Sequence, residues 1–295
     1  MVVSFFFMAG DNDIAAALYS LEGVIREEEK AGRQSVSIAA ESLELLRNLP
    51  AALSRRAVAA RAEPPVVSTP EGEGWMDPPG ETRREKLNHL FRMAKACEDC
   101  RGLGTLRETM VFATGNPEAD LMLVGEAPGA EEEKLKRPFV GPAGRKLDQI
   151  IHAMGLQRDD VYISNIVKFR PIKGDPRFQG SANRKPTPNE MAVSVKFILS
   201  EIRIVQPKVI VALGGTASEG LLGLAGSVGA MRNQFYDLNG IPVMVTYHPS
   251  YLLHHESQAG ENGAKQEKRK VWEDMLLVME KLGMEISEAQ RGYFL

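Results

Sequence analysis

Four short, nearly unbroken apolar runs constrain this chain more than any other feature: "ADLMLVGEA" (119–127), "VYISNIV" (161–167), "KVIVALGG" (208–215) and "IPVMVTYHP" (241–249). A run of that length without polar alternation has no solvent-facing side, so each predicts a strand buried on both faces. Between them stand segments with a helical period: "GRKLDQIIHAMGL" (144–156) with Gly155 as its stop, "NEMAVSVKFILSEIRIV" (189–205), the short "TASEGLLGL", and "QEKRKVWEDMLLVMEKLG" (266–283). Strand and helix in alternation predict a parallel sheet covered on both faces. In such sheets ligands bind beyond the carboxyl ends of the strands.

The first part of the chain reads differently. Residues 12–60 place apolar side chains at roughly helical spacing among many charges, which predicts a helical N-terminal extension over 1–62. The stretch "EPPVVSTPEGEGWMDPPGE" is rich in Pro, Gly and acid and predicts a linker over 63–82. The main domain is then expected over 83–288. The opening "MVVSFFFMAGDND" lacks the basic start of a secretory signal, and no run reaches the roughly 20 apolar residues of a membrane span. Two cysteines in 295 residues build no disulfide framework and suit a reducing compartment, so a cytoplasmic location is expected. Residues 91–295 carry 26 basic and 25 acidic side chains, so any surface for an acidic partner must be local.

The informative motifs fall at the predicted strand ends. The first strand closes in "GEAPG" (125–129), the second holds Asn165 and leads to "KFRP", the third closes in Gly214 and Gly215, and the fourth in "HPSYLL" (248–253). A Gly-Pro turn alone is usually only a turn. Four such ends meeting in one crevice make a site. Taken in order, "VGEAPGAEEEKLKRPFVGPAGRKLD", "VYISNIVKFRP" and "VTYHPSYLL" resemble the family 4 uracil-DNA glycosylases, the iron–sulfur branch of that superfamily, from about Cys97 to Gly283. The resemblance implies a three-layer α/β/α sandwich around a four-stranded parallel sheet. It also implies a DNA repair enzyme that flips uracil out of the duplex and hydrolyses its N-glycosidic bond to leave an abasic site.

Residue by residue, the resemblance assigns Phe139 as the aromatic face for the base and Asn165 as the amide that reads its Watson–Crick edge, with Ala127 beside them. The amide offers an acceptor for N3–H and a donor for O4, a pattern that cytosine reverses. His248 corresponds to the donor for the oxygen that becomes anionic as the bond breaks. Glu126 and Glu132 match family carboxylates, neither assignable from sequence as the water-activating base. Glu132 is alternatively a group that excludes the methyl of thymine. Leu252 or Leu253 is the expected wedge into the gap left by the base, and Ser250, Gly214 and Gly215 are candidate phosphate contacts. Where the family often carries Arg after the two leucines, this chain has His254. Uracil-containing DNA is the expected partner of a monomer working at the nucleoid, with the N-terminal extension free to bind an unidentified protein.

The family's [4Fe–4S] cluster takes four cysteines, and this chain departs from that set. Cys97 and Cys100 match the first pair, but Phe169 stands at the third position and Ser194 at the fourth. Phenylalanine cannot ligate iron, so no cofactor is expected and the cluster is expected to be lost. Two rival functions are weaker. A covalent branch of the superfamily traps the sugar with a histidine from a loop after the second strand, and the corresponding loop here, residues 173–186, contains no His. A nucleotide-binding module would show a glycine fingerprint that the first strand end lacks. A non-hydrolytic or altered-specificity binder of uracil or other deaminated bases is the remaining alternative.

Overall fold

The computed structural model describes residues 75–258 and 260–294, together with three two-residue strands, β1 (Val2–Val3), β2 (Ser37–Ile38) and β3 (Val66–Val67). The chain divides into Met1–Glu63 and Pro64–Leu295. In the first unit β1 and β2 pair in parallel, while the helices expected over 12–60 lie outside the described residues.

In the second unit, helices α1 (Arg83–Lys95) and α2 (Glu98–Gly102) precede β4 (Leu106–Met110), β5 (Thr114–Gly115) and β6 (Leu121–Gly125). Helices α3 (Ala130–Leu135) and α4 (Pro142–Ala153) follow, then β7 (Tyr162–Asn165), β8 (Phe169–Pro171) and α5 (Pro188–Val205). The remainder runs β9 (Val209–Leu213), α6 (Gly215–Leu222), α7 (Val228–Met231), β10 (Phe235–Leu238), β11 (Ile241–Thr246), α8 (Pro249–Gln258), α9 (Gly260–Lys281) and α10 (Glu288–Arg291).

The four expected strands form the parallel centre in the order β11, β9, β6, β7. Val124 stands opposite Ser164 on one side and Ala212 on the other, so the ends of β6, β7 and β9 are level. The sheet is larger than four strands. Antiparallel β10 and β5 flank the centre, β3 joins beyond β10, and β4 pairs with β8 as a separate antiparallel ribbon. The β10–β11 hairpin turns on Asn239 and Gly240, both at positive φ (52° and 86°), the backbone a two-residue turn of matching twist requires.

Strict alternation along β6 builds the two cores. Leu121 and Leu123 pack with Leu147 and Ile151 of α4 and Trp272 and Met275 of α9. Met122 and Val124 face the opposite way, toward Leu90 of α1 and Phe197 and Ile198 of α5. A strand with both faces covered has to be apolar throughout, which is why these runs were legible. Helix α5 starts cleanly because Thr187 caps the Glu190 amide, the Glu190 carboxylate returns to the Thr187 amide at 2.7 Å, and Pro188 opens the first turn.

The expected linker is fastened over its described end. The Met76 amide donates to Ser200 Oγ at 2.8 Å, and the Arg203 guanidinium stacks on the Trp75 ring, so residues 75–82 belong to the α5 surface rather than to a free tether. Arg203 and Ser200 supply partners that Pro/Gly composition could not reveal. Leu123 is 1 % exposed at the centre of the α4–α9 core, so Leu123→Ala is expected to cost about 2–5 kcal/mol in urea unfolding without change of secondary structure.

Candidate functional site

The level ends of the parallel strands enclose a cavity of ≈ 320 Å³. At its floor β6 ends in Gly125, against whose bare Cα two groups lie. A Cβ there would strike the Phe139 ring and stand 2.5 Å from Asn165 Oδ1. Glycine is thus required by close packing, and it brings an aromatic face and an amide together.

Phe139 is held in the left-handed region at φ 51°, a conformation a bulky residue adopts only when its surroundings impose it. Glu132 is what imposes it. Its Oε1 accepts from the amides of Val140 (2.9 Å) and Gly141 (2.8 Å), and its Oε2 from that of Gly129 (3.2 Å). Arg158 Nη2 donates to the Pro138 carbonyl at 2.5 Å, and Gly144 has no Cβ to collide with the Phe139 carbonyl. Glu132, a candidate catalytic carboxylate by sequence, is therefore a clamp on the turn that presents Phe139. Three backbone donors occupy its oxygens.

Asn165 ends β7 and is 2 % exposed, and its Oδ1 has no hydrogen-bond partner among the described residues. A buried acceptor left unpaired costs about 1–3 kcal/mol, an expense that a bound donor would remove. His248 follows β11, with its ring 5.7 Å from that of Phe139. The Ser250 amide donates to His248 Nδ1 at 3.2 Å, so Nδ1 carries no proton, and the Ser250 hydroxyl 2.7 Å away donates to it as well. The ring proton of the neutral imidazole then sits on Nε2. Burial pushes the His248 pKa down to about 4, against a smaller upward pull from Glu132, so the ring is neutral at pH 7.

Glu126 lines the same cavity with its carboxylate raised above the ordinary value, chiefly by burial. Thr216 Oγ1 donates to it at 2.5 Å, and Lys185 offsets part of the rise. Ala127, Gly214 and Gly215 also line the wall. Gly214, at φ 94°, comes so close to His248 that a Cβ would lie 3.1 Å from His248 Cβ. Its amide donates to the Thr246 carbonyl at 2.8 Å, which removes it as a phosphate donor. Ser250, a candidate phosphate contact by sequence, lines the cavity and is hydrogen-bonded to His248.

"HPSYLL" is not a loop beyond its first residue, because Pro249 opens helix α8. That placement separates the two candidate wedge leucines. Leu252 is 3 % exposed and faces inward, while Leu253 is only partly buried. Sequence reasoning missed Asn183 and Arg184, which line the cavity from the end of the 173–186 loop. Arg184 makes a two-pronged bond to Glu190 at 2.7 Å per contact, and the pairing holds the Glu190 pKa down at about 2 despite burial. The helical capping motif around Thr187 and Glu190 was the available signal.

Away from the cavity, three of the four family cluster positions, Cys97, Cys100 and Ser194, are brought together. Cys97, Cys100 and Phe169 share one apolar core, and Cys100 Sγ lies 3.9 Å from Ser194 Oγ. Cys97 Sγ caps α2 by accepting from the Cys100 amide at 3.4 Å. Burial, with Cys97 alongside, pushes the Cys100 thiol up to about 12. Two thiols, one of them firmly protonated, with a hydroxyl and a benzene ring do not fit a [4Fe–4S] cluster, which takes four thiolates. Among the described residues no three His, Cys, Asp or Glu side chains gather as a metal would need.

The arrangement is a slot, open to one side, that suits a planar, hydrogen-bonding ring at the carboxyl end of a parallel sheet. Residues 112–276 match the model of the uracil DNA glycosylase superfamily. The chain is 41 % identical over 178 residues to a type-4 uracil-DNA glycosylase of Thermotoga maritima, covering 60 % of this chain and 88 % of that protein. It is 33 % identical to one of Pyrobaculum aerophilum (59 % and 88 % covered) and 31 % identical to one of Archaeoglobus fulgidus (58 % and 84 %). The chain belongs to the type-4 uracil-DNA glycosylases within that superfamily.

Because His248 stays neutral in the folded state yet takes a proton near pH 6.5 when unfolded, folding loses stability as pH falls from 6.5 toward 4. The loss is expected to reach roughly 3 kcal/mol. Denaturant melts at pH 7 and pH 4.5 check it: the drop should shrink in His248→Gln.

Proposed function

We propose that this chain removes uracil from DNA by hydrolysing the N-glycosidic bond, with the slot over Gly125 as its base pocket. The observation that carries this is the unpaired, buried Asn165 Oδ1 beside the Phe139 ring. In a flipped uracil, N3–H donates to Oδ1 and O4 accepts from the amide nitrogen, while the ring lies against Phe139. Cytosine has no proton on N3 and a donor where uracil has O4. It would leave Oδ1 unpaired and set two donors against each other.

As the glycosidic bond lengthens, the sugar gains positive character and negative charge builds on O2. The Nε2–H of a neutral His248 is the donor for that oxygen; its low pKa leaves the ring uncharged at pH 7, with no imidazolium proton to pass to the leaving anion. It acts through a fixed dipole in a water-poor site. Of the two candidate carboxylates, Glu126 is the one left for water and for the cationic sugar, because Glu132 already serves three backbone amides. Burial makes Glu126 more basic than an ordinary carboxylate. Leu253, the more exposed of the pair on α8, is the wedge. Phe169 packing in place of iron leaves an enzyme that works without a cluster. The remaining parts of the reading are a monomer acting in the cytoplasm on nucleoid DNA, with residues 1–62 offering a partner site outside the catalytic domain (83–288).

Uracil release from single- and double-stranded oligonucleotides tests the proposal. His248→Ala is expected to lower kcat by about 10²–10³, and Asn165→Ala to lower kcat/KM and weaken the preference over cytosine. Wild-type protein that binds uracil-DNA and releases nothing would mark it as a binding module instead. In a pH profile of kcat/KM, an acid limb above pH 4.5 is expected and should vanish in Glu126→Gln. His248 adds no limb between pH 5 and 8. Protein purified without oxygen should be colourless with no stoichiometric iron; a brown preparation with visible charge-transfer absorption would show that a cluster forms.

A further inference from the structure

Behind Asn165 sits a buried charge that the chemistry above does not use. Lys168 is fully buried, with two hydrogen-bond acceptors and one carboxylate around its ammonium. Nζ lies 2.6 Å from Glu201 Oε1, 2.6 Å from Ser164 Oγ and 2.8 Å from the backbone carbonyl of Asn165. The ammonium stands 5.4 Å from the centre of the Phe112 ring, and Glu201, on α5, is also 0 % exposed. Desolvating two ions is costly, and an apolar pair of similar size often packs as well. Such a pair calls for a geometric reason.

The reason lies in how Asn165 is held. Its Oδ1 has no protein partner, so nothing on that oxygen fixes the amide before a base arrives. The direction of the side chain depends on the backbone that carries it. Beyond β7 the amides of Ile166 and Val167 remain tied to the carbonyls of Gly125 (2.9 Å) and Glu126 (3.0 Å). The Asn165 carbonyl is tied instead to Lys168. We propose that Lys168, anchored by Glu201, is a positioning residue that sets the peptide plane of Asn165 and thereby the aim of the amide that selects uracil over cytosine. A displacement of about 1 Å at such a contact is enough to cost on the order of a hundredfold in rate.

The inference rests on the glycosylase reading, and its test separates the two. Lys168→Met with Glu201→Gln removes the charges together, leaving a neutral amide for the neighbours of Glu201, so the fold should persist; thermal unfolding checks this. In the folded double variant kcat/KM for uracil is expected to fall about tenfold to a hundredfold, mainly in kcat, and the uracil-over-cytosine ratio to narrow at least tenfold. A wild-type ratio in that variant overturns the proposal, as would a loss of rate with selectivity intact. Should the double change unfold the chain, Glu201→Gln alone frees Lys168 of its anchor and is judged by the same ratio. Calorimetric binding of free uracil and cytosine needs no chemistry. Wild type that prefers uracil while excising none refutes the glycosylase reading and leaves the positioning role to be judged on the variants' preference. Wild type that neither prefers uracil nor excises it overturns both; wild type that excises uracil without preferring it over cytosine overturns the positioning role alone.

Discussion

Everything in the pocket depends on the close approach permitted at Gly125. The strand end has no side chain, and the space so released is filled from two directions by the Phe139 ring and the Asn165 amide. The two come from different elements, one from a turn between α3 and α4 and the other from the end of β7. Level parallel strands bring the second into place, and the clamp by Glu132 brings the first. A methyl group at position 125 would separate the aromatic face from the hydrogen-bonding edge.

Electrostatics in the site follow from burial more than from charge. His248 is neutral because its surroundings are poor in water, and Ser250 dictates which nitrogen keeps the proton. Glu126 is raised for the same reason, while Glu190, with no exposed surface, is driven down because Arg184 meets it with two hydrogen bonds. The partner, more than the burial, thus decides the direction of the shift. The former cluster region shows the apolar version: Cys97, Cys100 and the Phe169 ring are buried in one apolar core, and burial keeps the Cys100 thiol protonated.

The four central strands and the helices after them were legible because double burial demands unbroken apolar runs and single-faced helices demand a 3.6 period. The flanking strands β5 and β10 were not, being two and four residues long and only partly buried along their length. Asn239-Gly240 was a readable hairpin signal for β10. The site residues Phe139, Asn165, His248 and Glu126 were legible as motifs, but their division of labour was not. The contacts of Glu132 with three backbone amides and of Ser250 with His248 could not be read from the motifs.

By itself the sequence determined the layer architecture, the strand ends at which a site had to form, and the departure of Phe169 and Ser194 from a four-thiolate set. These follow from local patterning and from the identity of the atoms a side chain carries. Only the tertiary structure decided which partners each carboxylate has, which histidine nitrogen held the proton, and which leucine is the more exposed. It also decided that Lys168 stood behind Asn165. Each of those is a relation between residues distant in sequence or turned by a helix, and hydrogen-bond geometry exists only once the chain has closed on itself.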